Sequence, residues 1–218
     1  MFTAKSIILI AVGAIIAYFI GSVNTAIIMS KSLSGEDIRE KGSGNAGMTN
    51  MMRNYGKKAG AVTLICDMVK GMLTVIIMTF LLRGFGESDY QVIMFGQYIA
   101  SLFAVIGHIF PVYYGFKGGK GIAVIVGSIL LVDCRVALTC LAVFIILVLI
   151  TKMVSVGSIA ALAMFPVTTL IYQTFINKTE IGLYNMFVAL LVAVIIIYKH
   201  HENIKRIISG TENKIGNH

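Results

Sequence analysis

Residues 6–29 form the uncharged stretch SIILIAVGAIIAYFIGSVNTAIIM. It exceeds the roughly 20 apolar residues that a helix needs to cross a bilayer. A secretory signal peptide has a shorter apolar core and a more basic flank than the single Lys5 found here. We therefore predict a membrane-spanning helix that remains part of the protein.

Comparable apolar runs recur along the 218-residue chain, which is 57% hydrophobic, only 13% charged, and has a mean hydropathy of +0.88. A β-barrel would show short alternating segments instead. The sequence predicts an all-α polytopic membrane protein with a single integral-membrane domain over residues 1–218. The seven predicted spans are 6–29, 59–82, 91–113, 121–132, 135–151, 153–176 and 182–199.

The boundary between the short fourth span and the fifth depends on a turn at Asp133 and Arg135; without that turn the count falls to six. With seven spans and the N-terminus outside, thirteen Lys and Arg residues fall in inside loops and four in outside segments. The positive-inside rule then predicts an outside N-terminus and a cytoplasmic C-terminus. It also explains the net charge of +8 better than nucleic-acid binding does.

The first polar island, residues 41–58, contains the pattern G-x-G-x-x-G at Gly42, Gly44 and Gly47. A dinucleotide-binding turn would need a preceding hydrophobic strand, which is absent. The glycines can instead turn backbone amides inward to bind an anion. Neutral hydrogen-bonding groups and one guanidinium would assist: Ser43, Asn45, Thr49, Asn50 and Arg53. A flexible loop whose lysines face anionic lipid remains the alternative.

The second polar island, residues 107–121, reads GHIFPVYYGFKGGKG and resembles a nucleotide P-loop. It fails that pattern because Gly121 follows Lys120 where Ser or Thr is required. A glycine-rich turn with Lys117 and Lys120 before a helix still predicts a second anion site. For His108, a structural role in packing and backbone hydrogen bonding is favoured over a functional one.

The third polar island, residues 198–206, places His200 and Asn203 on one helix face. The pair could orient a hydroxyl or phosphate, or the segment could be an interfacial amphipathic end. At membrane depth, Asp67 and Lys70 are spaced to pair, either structurally or functionally. No group of Cys, His and carboxylate residues has metal-site spacing, and Cys66, Cys134 and Cys140 suit no disulfide framework.

Nearly all of these polar groups fall on one predicted membrane face. A transporter of a phosphorylated or anionic small molecule, the alternative function, would place them near the midplane. The one-sided layout favours an interfacial enzyme that acts on a lipid substrate.

Three stretches resemble, in order, the signature regions of the bacterial acyl-phosphate:glycerol-3-phosphate acyltransferases, the PlsY family: GSGNAGMTNMMR, GHIFPVYYGFKGGKG and HHENIKRIISGTENK. The resemblance implies seven membrane helices in the bacterial inner membrane and an active site facing the cytoplasm. It also implies transfer of a fatty acyl group from acyl phosphate to the 1-hydroxyl of sn-glycerol 3-phosphate. The products would be lysophosphatidate and phosphate, in the first step of phospholipid synthesis.

The resemblance implies that no cofactor or metal is used, that the chain is a monomer, and that membrane lipids and an upstream phosphate acyltransferase are its partners. The catalytic residues it implies are Ser43, Arg53, Lys120, His200 and Asn203. The substrate-binding residues are Gly42, Gly44, Asn45, Gly47, Thr49, Asn50, Lys117, Gly118, Gly119, Gly121 and Ser158. The chain departs from the family pattern at Asn24, Met48 and Val124, none of which is an assigned polar contact residue.

Overall fold

A computed structural model of the protein describes residues 2–215, and within that range it contains helices and turns but no strand. The α-helices are α1 (Ala4–Ser22), α2 (Thr25–Ser34), α3 (Met48–Gly84), α4 (Tyr90–Ile109), α5 (Ile122–Val132), α6 (Cys134–Thr151), α7 (Val154–Leu170), α8 (Gly182–Tyr198) and α9 (His201–Ile208). Short 3-10 turns cover Ile38–Glu40 and Val112–Tyr114, and a π-helical segment, Ile171–Ile176, continues α7. The predicted all-α class is confirmed.

Five helical stretches in the described part of the chain are long and apolar enough to cross a membrane: Ala4–Ser34, Met48–Gly84, Tyr90–Tyr114, Cys134–Thr151 and Val154–Ile176. The pair α8 and α9, bent by 60°, makes a sixth if it counts as one broken span. At 11 residues, α5 is only about 16 Å long at 1.5 Å per residue, which is short for a bilayer core. The seven-span count and the orientation of the termini stay predictions.

The predicted first span is broken at Val23, whose backbone is extended. Asn24 caps α2 there, because its side-chain oxygen accepts a hydrogen bond from the Ile27 amide at 3.1 Å. Such a cap stabilises a helix start by about 1 kcal/mol. Asn24, one of the departures from the family pattern, therefore has a structural role in this chain.

Contacts divide the chain into two compact units, residues 2–132 and 133–215. In the first unit, α1 packs on α4, and α3 packs on α1, α4 and α5. The α1–α4 crossing is close because a Cβ at Gly21 or Gly107 would overlap the backbone of the opposite helix. In the second unit, α7 packs between α6 and α8. The assignment of one functional domain stays a prediction.

Candidate active site

The first polar island begins with a tight turn in which Gly42 and Gly44 have positive φ values of 57° and 69°. Asn50 holds this turn from the first turns of α3. Its amide nitrogen donates to the carbonyls of Ile38 and Lys41, and its oxygen accepts from the Ser43 amide. Asn50 is 1% exposed, so the loop is fixed by a buried and satisfied amide side chain.

Three backbone amides of this loop donate hydrogen bonds within the loop itself. Besides the Ser43 amide, the Gly44 amide donates to the Lys41 carbonyl and the Gly47 amide to the Asn45 carbonyl. These three amides have their acceptors within the loop, and the anion site that the glycines predict stays a prediction.

The first turn of α3 offers amides in their place. The first amides of an α-helix have no partner inside the helix. Gly47, the residue that precedes α3, has no side chain to cap them. Arg53 lies farther along α3, before the helix is broken by Gly56 with a φ of 85°. Its exposed guanidinium has no ion pair or hydrogen bond to residues 2–215.

The second polar island is arranged similarly. The amides of Gly118 and Gly119 donate to the carbonyls of Ile109 and His108, both at 3.1 Å. The helix α5 then begins after Gly121, whose carbonyl accepts from the Ile125 amide and whose φ is 94°. Of the two lysines of this turn, Lys117 is exposed and Lys120 is half-buried.

The two islands lie against each other within the first unit. The Ala46 carbonyl is so close to Gly119 that a Cβ there would overlap it. Arg39 donates to the carbonyls of Tyr114 at 2.7 Å and Lys117 at 3.0 Å, so it ties the loop before the first island to the second. The prediction of two glycine–lysine loops at one face is therefore consistent with their contact in the structure.

The sequence did not predict Arg39 as a residue of the site. Its guanidinium also forms a two-point ion pair with Asp37, at 3.0 and 2.8 Å. The hydrogen bonds from Arg39 outweigh the opposing effect of burial and lower the pKa of Asp37 from 3.8 to about 2. In the sequence, the i, i+2 spacing of Asp37 and Arg39 could indicate their ion pair. It could not indicate the hydrogen bonds from Arg39 to the carbonyls of Tyr114 and Lys117.

The predicted pairing of Asp67 with Lys70 is confirmed, at 2.8 Å. The ammonium group of Lys70 also lies 2.8 Å from Nδ1 of His108 and donates to the Val23 carbonyl at 2.7 Å. The structural interpretation of His108 was therefore incomplete, because its side chain contacts Lys70 and its carbonyl supports Gly119.

The second unit carries the remaining predicted residues, Ser158, His200 and Asn203, all of them buried. The Ser158 hydroxyl donates to the Val154 carbonyl one turn earlier. His200 Nδ1 lies 2.8 Å from the Ile196 carbonyl. Because a carbonyl only accepts, this nitrogen carries a proton.

Glu212 is the centre of a polar cluster in this unit, and the sequence did not single it out. Its Oε1 accepts from Ser155 and Asn203, and its Oε2 accepts from Arg206 at 2.7 Å. Burial opposes ionisation of Glu212, but these three hydrogen bonds together lower its pKa below the usual 4.5. The carboxylate thereby fixes the amide of Asn203.

No group of three or more His, Cys, Asp or Glu side chains within 2–215 could hold a metal ion. The described part of the chain instead offers glycine-started helices, guanidinium and ammonium groups, and buried neutral donors. Together with the long apolar helices, these features define the class of α-helical, multi-pass membrane proteins.

Comparison with known proteins agrees with that class. The sequence profile of the glycerol-3-phosphate acyltransferase family matches residues 11–210. The glycerol-3-phosphate acyltransferase of Clostridioides difficile is 43% identical over 203 residues, covering 93% of this chain and 94% of that protein. The enzyme of the same description from Bacillus subtilis is 39% identical over 207 residues, covering 95% and 98%. The chain belongs to the glycerol-3-phosphate acyltransferase family, which confirms the resemblance.

Two solved structures have a similar fold. Both are crystal structures of PlsY (YgiH), an integral membrane glycerol 3-phosphate acyltransferase. The glycerol 3-phosphate form has a TM-score of 0.77 at 32% identity, and the lysophosphatidic acid form has 0.74 at 31%. Each match covers 98% of this chain and 96% of the other. This chain is therefore an integral membrane acyltransferase.

Proposed function

We propose that the protein transfers a fatty acyl group from acyl phosphate to the 1-hydroxyl of sn-glycerol 3-phosphate. The hydroxyl oxygen forms an ester bond with the acyl carbon, and the bond from that carbon to the phosphate oxygen breaks. The hydroxyl proton leaves with the released phosphate. The products are 1-acyl-glycerol 3-phosphate, which is lysophosphatidate, and inorganic phosphate.

The observation that carries this proposal is the contact between the two polar islands. Two helices, α3 and α5, begin after Gly47 and Gly121, and neither glycine offers a side-chain cap. A helix N-terminus attracts anions through its amides and dipole. Lys120 lies directly before α5, and Arg53 adds positive charge in the second turn of α3. Two phosphate groups, one from each substrate, match this pair of cationic helix starts.

In the proposed site, Ser43 and the loop of Gly42, Gly44, Asn45 and Gly47 bind the acyl-phosphate head, and Thr49 and Asn50 shape that loop. Arg53 and Lys120 bind the phosphate of glycerol 3-phosphate, assisted by Lys117 and the turn of Gly118, Gly119 and Gly121. The family resemblance further assigns glycerol 3-phosphate binding to Ser158, His200 and Asn203.

The chemistry of the reaction supports these roles. An acyl phosphate is already activated, so the step needs no nucleotide and no thioester. Negative charge grows on the leaving phosphate as the acyl bond breaks, and fixed cations and amides stabilise it. Loss of one such preorganised donor typically slows a reaction by about 10²–10³. We place the site at the cytoplasmic face of the bacterial inner membrane, where the polar acceptor is dissolved.

Purified protein in detergent, given palmitoyl phosphate and radiolabelled glycerol 3-phosphate, is the direct test. We expect equal amounts of lysophosphatidate and inorganic phosphate, with the ester at the 1-position by NMR, and the same rate in excess EDTA. Palmitoyl-CoA serves as the second donor. Activity with the thioester alone, or no product from either donor, would refute the acyl-phosphate reaction.

A further inference from the structure

Asp67 and Lys70, the charged pair inside α3, contact residues of two other segments, and the proposed chemistry does not use these contacts. Three acceptors surround the ammonium group of Lys70: the Val23 carbonyl at 2.7 Å, and His108 Nδ1 and Asp67 Oδ1 at 2.8 Å. The contacts with Val23 and His108 are hydrogen bonds, and the three donors of an ammonium group are enough for both. The Asp67 contact is mainly electrostatic, since Asp67 Oδ1 accepts no well-aligned hydrogen bond within the described residues.

The contact with Lys70 determines which nitrogen of His108 carries the proton. The ammonium only donates, so Nδ1 of His108 is an acceptor and Nε2 bears the hydrogen. Nε2 lies beside the Cα of Gly119, where a Cβ would overlap both it and the Ala46 carbonyl. The ring of His108 is therefore wedged at the contact between the two polar islands.

The backbone of His108 supports the same turn. Its carbonyl accepts from the Gly119 amide at 3.1 Å and lies so close to Gly118 that a Cβ there would overlap it. One residue thus contacts both glycines that precede Lys120. Through Lys70, it is also linked to Val23, where the first span is broken.

Burying these charged and polar groups inside a membrane protein costs free energy. Asp67, Lys70 and His108 are 2%, 6% and 3% exposed. Charged groups inside a membrane are costly, and an apolar pair of similar size is often as stable or more so. Stability alone therefore does not explain why charged residues lie here. A role in fixing the His108 imidazole beside Gly119 explains them better.

We propose that Asp67, Lys70 and His108 form a positioning cluster that holds the Gly118–Gly119 turn, and with it Lys120, against the first polar island. The effect on glycerol 3-phosphate rests on the proposed function. The three residues act through the turn and do not contact substrate.

Two variants test the cluster, with Thr74→Val as the matched control. The double variant Asp67→Leu/Lys70→Met removes both charges together. His108→Asn keeps an acceptor for Lys70 but lacks the atoms that reach Gly119. Thr74 is also buried in α3, and within the described residues its hydroxyl bonds only to the Gly71 carbonyl one turn away.

The first measurement is hydrogen exchange of the Gly118 and Gly119 amides in detergent, which needs no activity. Both test variants should speed exchange there by about fivefold, the effect of weakening one neutral hydrogen bond. The control should match the wild type. Wild-type exchange in a folded His108→Asn protein would overturn the proposal, and this variant decides the question if the double variant does not fold.

The second measurement separates KM from kcat. The KM for glycerol 3-phosphate should rise by about 10-fold to 100-fold, the scale of a 1 Å misplacement of a binding group. Lost activity at unchanged KM, in proportion to lost folded protein, would assign the cluster a merely structural role. If the wild type makes no lysophosphatidate, the proposed function fails, whereas the exchange result still decides the positioning role.

Discussion

The side-chain oxygen of Asn50 accepts a hydrogen bond from the backbone amide of Ser43, at 3.1 Å and seven residues away in the chain. This bond fixes the turn that carries the proposed acyl-phosphate contacts. It also removes the Ser43 amide from the donors that could bind an anion, so the serine hydroxyl is what remains exposed for substrate.

Replacement of Asn50 by Asp should disrupt the first polar island. The new carboxylate oxygen would face the Ile38 and Lys41 carbonyls, to which the amide nitrogen now donates. We expect a loss of about 1–3 kcal/mol of stability, the cost of unsatisfied buried groups, and a clear loss of acyltransferase rate. Thermal unfolding measures the stability, and the palmitoyl phosphate assay measures the rate.

The control for this variant is Asn213→Asp, at an exposed position outside the island. An equal effect of the two variants would contradict the assigned role of Asn50.

Replacement of Arg39 by Lys should loosen the second polar island while keeping the charge. Lysine lacks the planar fork that here bonds to Asp37 and to the Tyr114 and Lys117 carbonyls at once. We expect about 1–3 kcal/mol of destabilisation and a raised KM for glycerol 3-phosphate. Unfolding and steady-state kinetics are the measurements, with the exposed Arg83→Lys as the control. A variant with wild-type stability and KM would show that the clamp is dispensable.

Replacement of Glu212 by Gln should give a pH-dependent loss of stability. The folded-state pKa of Glu212 is lowered, so its charge stabilises the fold fully above the unfolded value of 4.5 and less as pH falls through the folded value. The glutamine side chain cannot ionise, so the wild type and the variant should differ most at pH 7 and converge below about 4.5. Denaturant unfolding across this range measures the gap in the free energy of unfolding. A gap that stays constant with pH would contradict the assignment.

The control for this variant is Glu202→Gln. Glu202 pairs with Lys205 on the surface of α9, at 2.9 Å. Exposed ion pairs contribute little to stability because water and salt screen them, so this variant should unfold nearly as the wild type does.

Replacement of Arg53 by Ala should mainly raise the KM for glycerol 3-phosphate, because the proposed contact forms with the bound phosphate before the reaction. Loss of a charge-assisted hydrogen bond corresponds to about a 10-fold to 100-fold change. Lys57→Ala, at a nearby exposed cation, is the control for general surface charge. An unchanged KM and rate would remove Arg53 from the site.

The acyltransferase family and the positions of the polar islands could be predicted from the sequence. The spacing of Asp67 and Lys70 along one helix also predicted their pair. Each of these inferences depends on residues close together in the chain, or on apolar run length, which the bilayer thickness makes meaningful.

The number of spans was harder to predict, because α5 is short and the first span breaks at Val23. Run length alone does not reveal either feature.

The apolar runs by themselves determined that this protein is a bundle of membrane helices, because a backbone in lipid must satisfy its own hydrogen bonds. Only the tertiary structure decided which polar groups meet. Arg39 reaches carbonyls 75 and 78 residues away, Lys70 contacts His108 across 38 residues, and Glu212 joins Ser155 across 57. Such contacts depend on how helices pack, which local sequence does not encode.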